Sequence, residues 1–161
     1  MDSVVLFESI FLVIDTSHLI IRKSGMKLLM FYTNEWWYKT ASRTLEDVPA
    51  EDKEEAVTGA IVIFFHCEAE DEASYSGVVQ KFVKNAKWLA GKFSTKNVVL
   101  HSFNHLSPSK SSPEFARTLL AEVRQRLENA GFIVMVTPFG YFNEFRMHVA
   151  GDSLAKVFKE F

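Results

Sequence analysis

The chain is poor in the residues that build covalent staples, with a single cysteine, Cys67, among its 161 residues. An internal disulfide framework is excluded, and a reducing compartment fits. Charge of one sign is also lacking. Eighteen Lys and Arg stand against 20 Asp and Glu, a formal net charge of −2, which argues against a non-specific grip on nucleic acid and confines any such contact to a local basic face. No G-x-G-x-x-G, G-x-x-x-x-G-K or G-x-S-x-G occurs, so nucleotide cradles and the nucleophile elbow have no support. No internal repeat is apparent. The apolar stretch from Val4 to Ile21 reads neither as a signal peptide nor as a membrane span. Asp2 and Glu8 replace a positive n-region, and Glu8, Asp15 and His18 interrupt the run. A soluble, cytoplasmic protein is expected.

What is present fits one globular domain: 48% hydrophobic and 24% charged residues, with a length that can bury a sizeable core. The aromatic share of 14%, with 15 Phe, implies bulky packing or an aromatic-lined surface. Composition breaks at Arg22-Lys23-Ser24-Gly25. Residues 1–25 therefore read as an appended segment of unknown role, and residues 26–161 as the domain.

Periodicity places the elements. Residues 27–32 read as a strand, Thr33-Asn34 as a turn, and Trp36, Trp37 and Tyr38 as a second strand paired back in a hairpin. Residues 41–56 are a polar, acidic surface excursion, and residues 60–67 are apolar enough for a central strand. From Ala73 the period turns helical, with Val78, Val79, Phe82, Ala86 and Leu89 on one face. The opposite face carries Lys81, Lys84, Lys87, Lys92 and Lys96 within sixteen residues free of Asp and Glu. That face is either plain solvated surface or a phosphate-contacting patch. A buried strand follows through Val98, Val99 and Leu100 and runs into a polar loop with Asn104, His105 and Ser107. Ser112-Pro113-Glu114 is a helix start and Gly131 a left-handed stop. Residues 132–136 and 141–150 read as strands joined in a hairpin at Thr137-Pro138-Phe139-Gly140, and residues 153–161 as a closing helix. The expected fold is α/β, a mixed sheet with packed helices in the order β-β-β-α-β-α-β-β-α.

Two loops carry candidate chemistry. His101 and His105 have H-x-x-x-H spacing, but that spacing aligns two ligands on a helix, and this segment is strand running into loop, so no metal site is expected. His101 reads as a hydrogen-bonded structural histidine. His105, beside Asn104 and Ser107, can accept a proton or donate to an oxyanion, which suits hydrolysis of an activated ester. In residues 137–142, proline and glycine turn the backbone sharply while aromatic rings wall a pocket; the alternative is a plain aromatic hairpin.

His105-Leu106-Ser107 after an apolar strand, followed by Pro138-Phe139-Gly140-Tyr141-Phe142 before a late strand, resembles the archaeal N-terminal editing domain of threonyl-tRNA synthetase. The likeness runs from Met26 to about Ala155. It implies a fold like that of D-aminoacyl-tRNA deacylases, a homodimer, no cofactor, and hydrolysis of serine misattached to threonine tRNA. In that family a small pocket holds the amino acid largely by main-chain groups, and the terminal ribose 2′-hydroxyl helps the attacking water. By that resemblance Cys67, Asn104, His105, Pro138, Phe139 and Phe142 line the amino-acid and adenosine pocket; Tyr32, Ser107 and Gly140 are further candidates for binding substrate, His105 and Asn143 for the reacting centre, and Lys81, Lys84 and Lys87 of the basic helix face for contact with tRNA.

Three positions depart from the family. Tyr32-Thr33-Asn34 stands where a His-Ser-Asp-like triplet is common, Asn143 where a lysine follows the aromatic pair, and Lys156 where a glutamate often sits. With no Gly-Pro dipeptide anywhere, strict D-aminoacyl specificity is not expected. The changed motifs favour a free-standing homologue acting in trans over a synthetase fragment. The competing expectation is a non-catalytic module that binds tRNA, an amino acid or a synthetase.

Overall fold

A computed structural model describes residues 25–161; the appended segment, Gly25 apart, lies outside the described residues. Strands β1 (Lys27–Arg43), β2 (Glu54–His66), β3 (Asn97–Ser102), β4 (Ile133–Val136), β5 (Tyr141–Val149) and β6 (Lys156–Glu160) make one mixed sheet, with helices α1 (Tyr75–Lys92) and α2 (Pro113–Asn129). The sheet order is β4-β3-β2-β1-β5, with β6 also on β1. The helices are the crossovers of the parallel pairs β2–β3 and β3–β4 and cover one face, as such connections require. Between them and the sheet lie Ile61, Ile63, Phe65, Leu100, Phe82 and Leu119, all buried. Ser112 caps α2 by accepting the Phe115 N–H at 3.2 Å, and Gly131 follows the helix at φ +84°.

The α/β class and mixed sheet are as expected, but the element order differs in two places and the strand pairing in a third. The first hairpin is one strand, β1, paired to β2 in a constant register from Lys27↔His66 to Lys39↔Glu54, with only Asn34 and Gly59 skipped. Thr33, fully buried, donates its hydroxyl to the Ala60 carbonyl at 3.2 Å, and the expected turn is only a register shift against β5 between Thr33 and Glu35. A turn dipeptide without glycine has been absorbed as a bulge, because residues 54–56, read as part of a surface excursion, extend the partner strand. The closing helix is a 3₁₀ turn at Ser153–Ala155 followed by β6. Lys156 to Glu160 alternate exposed and half-buried, and five residues are too few for a stable helix. They fill the edge of β1 from Lys27 to Phe31 that β5, pairing only from Thr33 onward, leaves open.

The third difference builds the site. β5 does not pair with β4; the chain crosses the sheet and β5 pairs with the distal half of β1. Gly59, at φ +59°, lets β2 bend where side-chain residues resist that conformation. The sheet curls so that β5 comes over the face opposite the helices. Phe145 of β5 lies 5.4 Å from the Phe64 ring and 5.5 Å from His101. Trp36, Phe64 and Val99 form a second, aromatic core on this face.

Candidate functional site

At the C-terminal end of β3 the curled sheet, the loop 103–112, the start of α2 and the loop 137–143 enclose a cleft of about 300 Å³. Its floor is His101, whose Nδ1 lies 2.8 Å from Thr137 Oγ1. That hydroxyl donates to the Leu100 carbonyl at 3.4 Å and so accepts the Nδ1–H. Burial among Phe64, Phe103 and Phe145 lowers the His101 pKa to about 4, so the ring is neutral near pH 7.

The loop 103–112 is tied to the end of β2. His66, fully buried, accepts the Leu106 N–H at Nδ1, 3.2 Å away, and its Nε2 donates to the Ser109 carbonyl at 2.6 Å. The Phe103 and Ser111 amides donate to the Phe65 and Cys67 carbonyls at 2.9 and 3.0 Å. The loop thus presents its polar groups from a fixed backbone. Among them is His105, exposed, its ring edge-on to Phe103 at 5.1 Å.

The opposite wall rests on Gly140. At φ +80° a side chain would be strained, and a Cβ there would sit 2.9 Å from Val48 Cγ1. The Gly140 carbonyl accepts the Thr44 amide at 2.7 Å, which brings Thr44 and Leu45 into the wall. Ser112, Pro113 and Ala116 bring the N-terminus of α2 to the cleft, with its partial positive charge.

His105, Asn104, Pro138, Phe139, Gly140, Phe142 and Asn143 therefore meet in one cleft. Three expected substrate-binding residues do not line it. Tyr32 is on the helix side of the sheet, stacked on Phe93 with ring centroids 4.2 Å apart. Cys67 follows β2 within the helix-side core, where burial, and secondarily the Asp71 carboxylate, push its thiol up to about 12. Ser107 turns inward to its own loop and accepts the Ser109 N–H at 3.3 Å. Lys81, Lys84 and Lys87 are exposed on α1, which contributes nothing to the cleft lining. Lys156 does not supply a charge there either; its Nζ donates to the Ala150 carbonyl at 3.0 Å.

Sequence reasoning passed over Lys110, Thr44, Leu45 and Phe145, which all line the cleft. Lys110 was visible as a cation in a polar loop, whereas the other three reach the site only through the strand crossing. The lining contains Lys110 but no carboxylate. Its polarity suits a ligand rich in acceptors, such as an ester carbonyl developing negative charge or a phosphate. Among the described residues no three His, Cys, Asp or Glu side chains converge as a metal site, and no helix is long and apolar enough to cross a membrane.

Residues 26–161 match the profile of a family described as the Archaea-specific editing domain of threonyl-tRNA synthetase. The chain is 30% identical over 135 residues to threonine–tRNA ligase of Thermococcus onnurineus and 31% identical over 134 residues to that of Methanosphaera stadtmanae. Each alignment covers 82% of this chain and 22% of the relative, so the chain spans about a fifth of the length of these curated relatives. Among solved structures, the c-Myc DNA Unwinding Element Binding Protein superposes with a TM-score of 0.58 at 13% identity, over 83% of this chain and 97% of its own. That likeness concerns the fold alone, which is of the D-aminoacyl-tRNA deacylase type.

Proposed function

Because the chain belongs to the Archaea-specific editing-domain family of threonyl-tRNA synthetase, we propose that it is an aminoacyl-tRNA deacylase that hydrolyses seryl-tRNA(Thr). The observation that carries this reading is the convergence of Asn104 and His105 with Pro138 to Asn143 in one cleft, floored by the neutral His101 and reached by the N-terminus of α2. An aminoacyl ester is already activated. Water held against the carbonyl carbon adds to it, the tetrahedral oxyanion is stabilised by oriented donors, and the C–O bond to the 3′ oxygen breaks as that oxygen takes a proton. His105 positions the substrate and Asn143 stands beside the reacting centre. Editing meets a physical need, since a site for threonine gains too little from one methyl group to reject serine.

The cleft takes the 3′ end of tRNA, and the exposed Lys81, Lys84 and Lys87 attract the phosphates behind it. The protein acts in the cytoplasm as a homodimer, either in trans or with threonyl-tRNA synthetase; sedimentation as a monomer at working concentration would remove the dimer. Incubation with seryl-tRNA(Thr), beside threonyl-tRNA(Thr), tests the activity. A second reading, a module that binds the same ligand without turnover, is favoured by Asn143 in place of the family's lysine and by Lys156 being spent on Ala150. Under it a non-hydrolysable seryl-adenosine analogue binds and seryl-tRNA persists.

A further inference from the structure

Residues 44–53, between β1 and β2, form no helix or strand, and all but Leu45, Val48 and Glu51 are exposed. Two of them, Thr44 and Leu45, nevertheless line the cleft. Ten residues without regular structure keep a wall in place only where something ties them down. At the near end the Thr44 amide donates to the Gly140 carbonyl at 2.7 Å, and Val48 and Leu45 pack over that glycine, whose missing side chain leaves them room. At the far end Thr40 Oγ1 accepts the Lys53 amide at 3.0 Å. Between these ends one hydroxyl of the 137–143 wall holds the excursion: Tyr141 Oη donates to the Pro49 carbonyl at 2.7 Å and accepts the Glu51 amide at 2.8 Å, its single proton on one bond and a lone pair on the other. Arg117 also reaches this stretch, 3.0 Å from Asp47, but both side chains are exposed and such a pair contributes little.

We propose, resting on the deacylase reading of the cleft, that Tyr141 is a positioning residue: its hydroxyl latches residues 44–53 onto the 137–143 wall and so holds Thr44 and Leu45 where the aminoacyl-adenosine end binds. Gly140 and Tyr141 are adjacent, so one dipeptide grips the excursion at two points. Both hydrogen bonds of the hydroxyl run to the excursion, so Tyr141 has no proton to offer a ligand and takes no part in bond making. Its effect is on affinity. A wall already in place is ready for the ligand, whereas a loosened one must be ordered as the ligand binds, and that ordering is subtracted from the binding free energy. Within the bound complex the wall is ordered with or without the latch. A raised KM at unchanged kcat is the kinetic form of such a loss.

Tyr141→Phe tests this in the full chain, since it keeps the ring and removes only the oxygen. KM for seryl-tRNA(Thr), and the dissociation constant of an amide-linked, non-hydrolysable seryl-adenosine by calorimetry, rise by roughly three- to tenfold while kcat holds. A hydroxyl that serves folding alone predicts the opposite split, less folded enzyme and so a lower kcat at unchanged KM, and that result overturns the proposal. Glu51→Pro removes the amide from the other side of one of the two bonds and raises KM in the wild-type background, but adds little in Tyr141→Phe. Equal cost in both backgrounds overturns the proposal. So does unchanged affinity in Tyr141→Phe, and wild-type turnover then leaves the deacylase reading standing. If wild-type protein binds the analogue without releasing serine, only the deacylase reading falls, and the dissociation constants still decide the latch. If it does neither, both fall.

Discussion

His66 Nε2 donates to the carbonyl oxygen of Ser109 across 2.6 Å while the Nδ1 of the same ring accepts the Leu106 N–H, so one buried imidazole fixes the loop that carries His105 and Lys110. Both nitrogens are used, and the partners set the tautomer: the proton is on Nε2. The histidine is far from the cleft chemistry in sequence, yet it determines where that chemistry is presented.

His66→Ala removes both bonds and leaves a cavity at a fully buried site. The expected loss is about 2–4 kcal/mol, read as a lower midpoint in urea with unchanged slope. Amide exchange at Leu106 rises more than in the α1 core. A variant as stable as the wild type, with Leu106 still protected, would show that the loop holds itself.

His101 makes stability depend on pH. Its folded pKa of about 4 lies below the ordinary 6.5, so between those values the unfolded chain binds a proton that the folded one does not. Stability therefore falls as pH drops through that window, by up to about 3 kcal/mol, and this contribution is flat above and below it. His101→Gln flattens the slope in chemical denaturation between pH 6.5 and 4; an unchanged slope would assign the effect to other groups.

Cys67 is buried and its thiol is pushed up to about 12. In the folded protein it stays unreactive toward an aromatic disulfide at pH 8 and reacts with one equivalent after denaturation. Prompt labelling of native protein would mean that the thiol reaches solvent, and its place in the helix-side core would be wrong.

The cations divide by position. Lys110 lines the cleft, whereas Lys81, Lys84 and Lys87 are on α1. Lys110→Gln weakens binding of a tRNA acceptor stem and lowers the salt dependence by about one phosphate contact. Charge reversal of the three α1 lysines weakens it more at low salt than at high salt. Unchanged low-salt affinity in the triple variant would make that face solvated surface only.

Much of the fold was legible because helix and central-strand periodicity report burial directly. The α1 stripe of Val78, Val79, Phe82, Ala86 and Leu89, the Ser112 cap and the Gly131 stop all stand where the residues indicated. The misreadings concern partners distant in sequence. Thr33-Asn34 carries turn residues, but Thr33 is held by Ala60 and by Val149, neither of which local sequence reveals. Residues 156–160 read equally as the end of a helix or as a short strand until the edge of β1 that receives them is known. For the cleft, the loops that announce themselves with proline, glycine and histidine do meet in its lining. Thr44, Leu45 and Phe145 give no such signal, since only the curl of the sheet brings them there. Tyr32 and Cys67 lie on the helix side, away from the cleft, for the matching reason that alternation along a strand does not say which face bears the cleft.

Release of serine from seryl-tRNA(Thr), followed with the full chain beside threonyl-tRNA(Thr) and a no-protein control, tests the central claim most directly. A deacylase cleft predicts multiple turnovers on the seryl ester and slower loss of threonine. Seryl-tRNA decaying no faster than in buffer would contradict it.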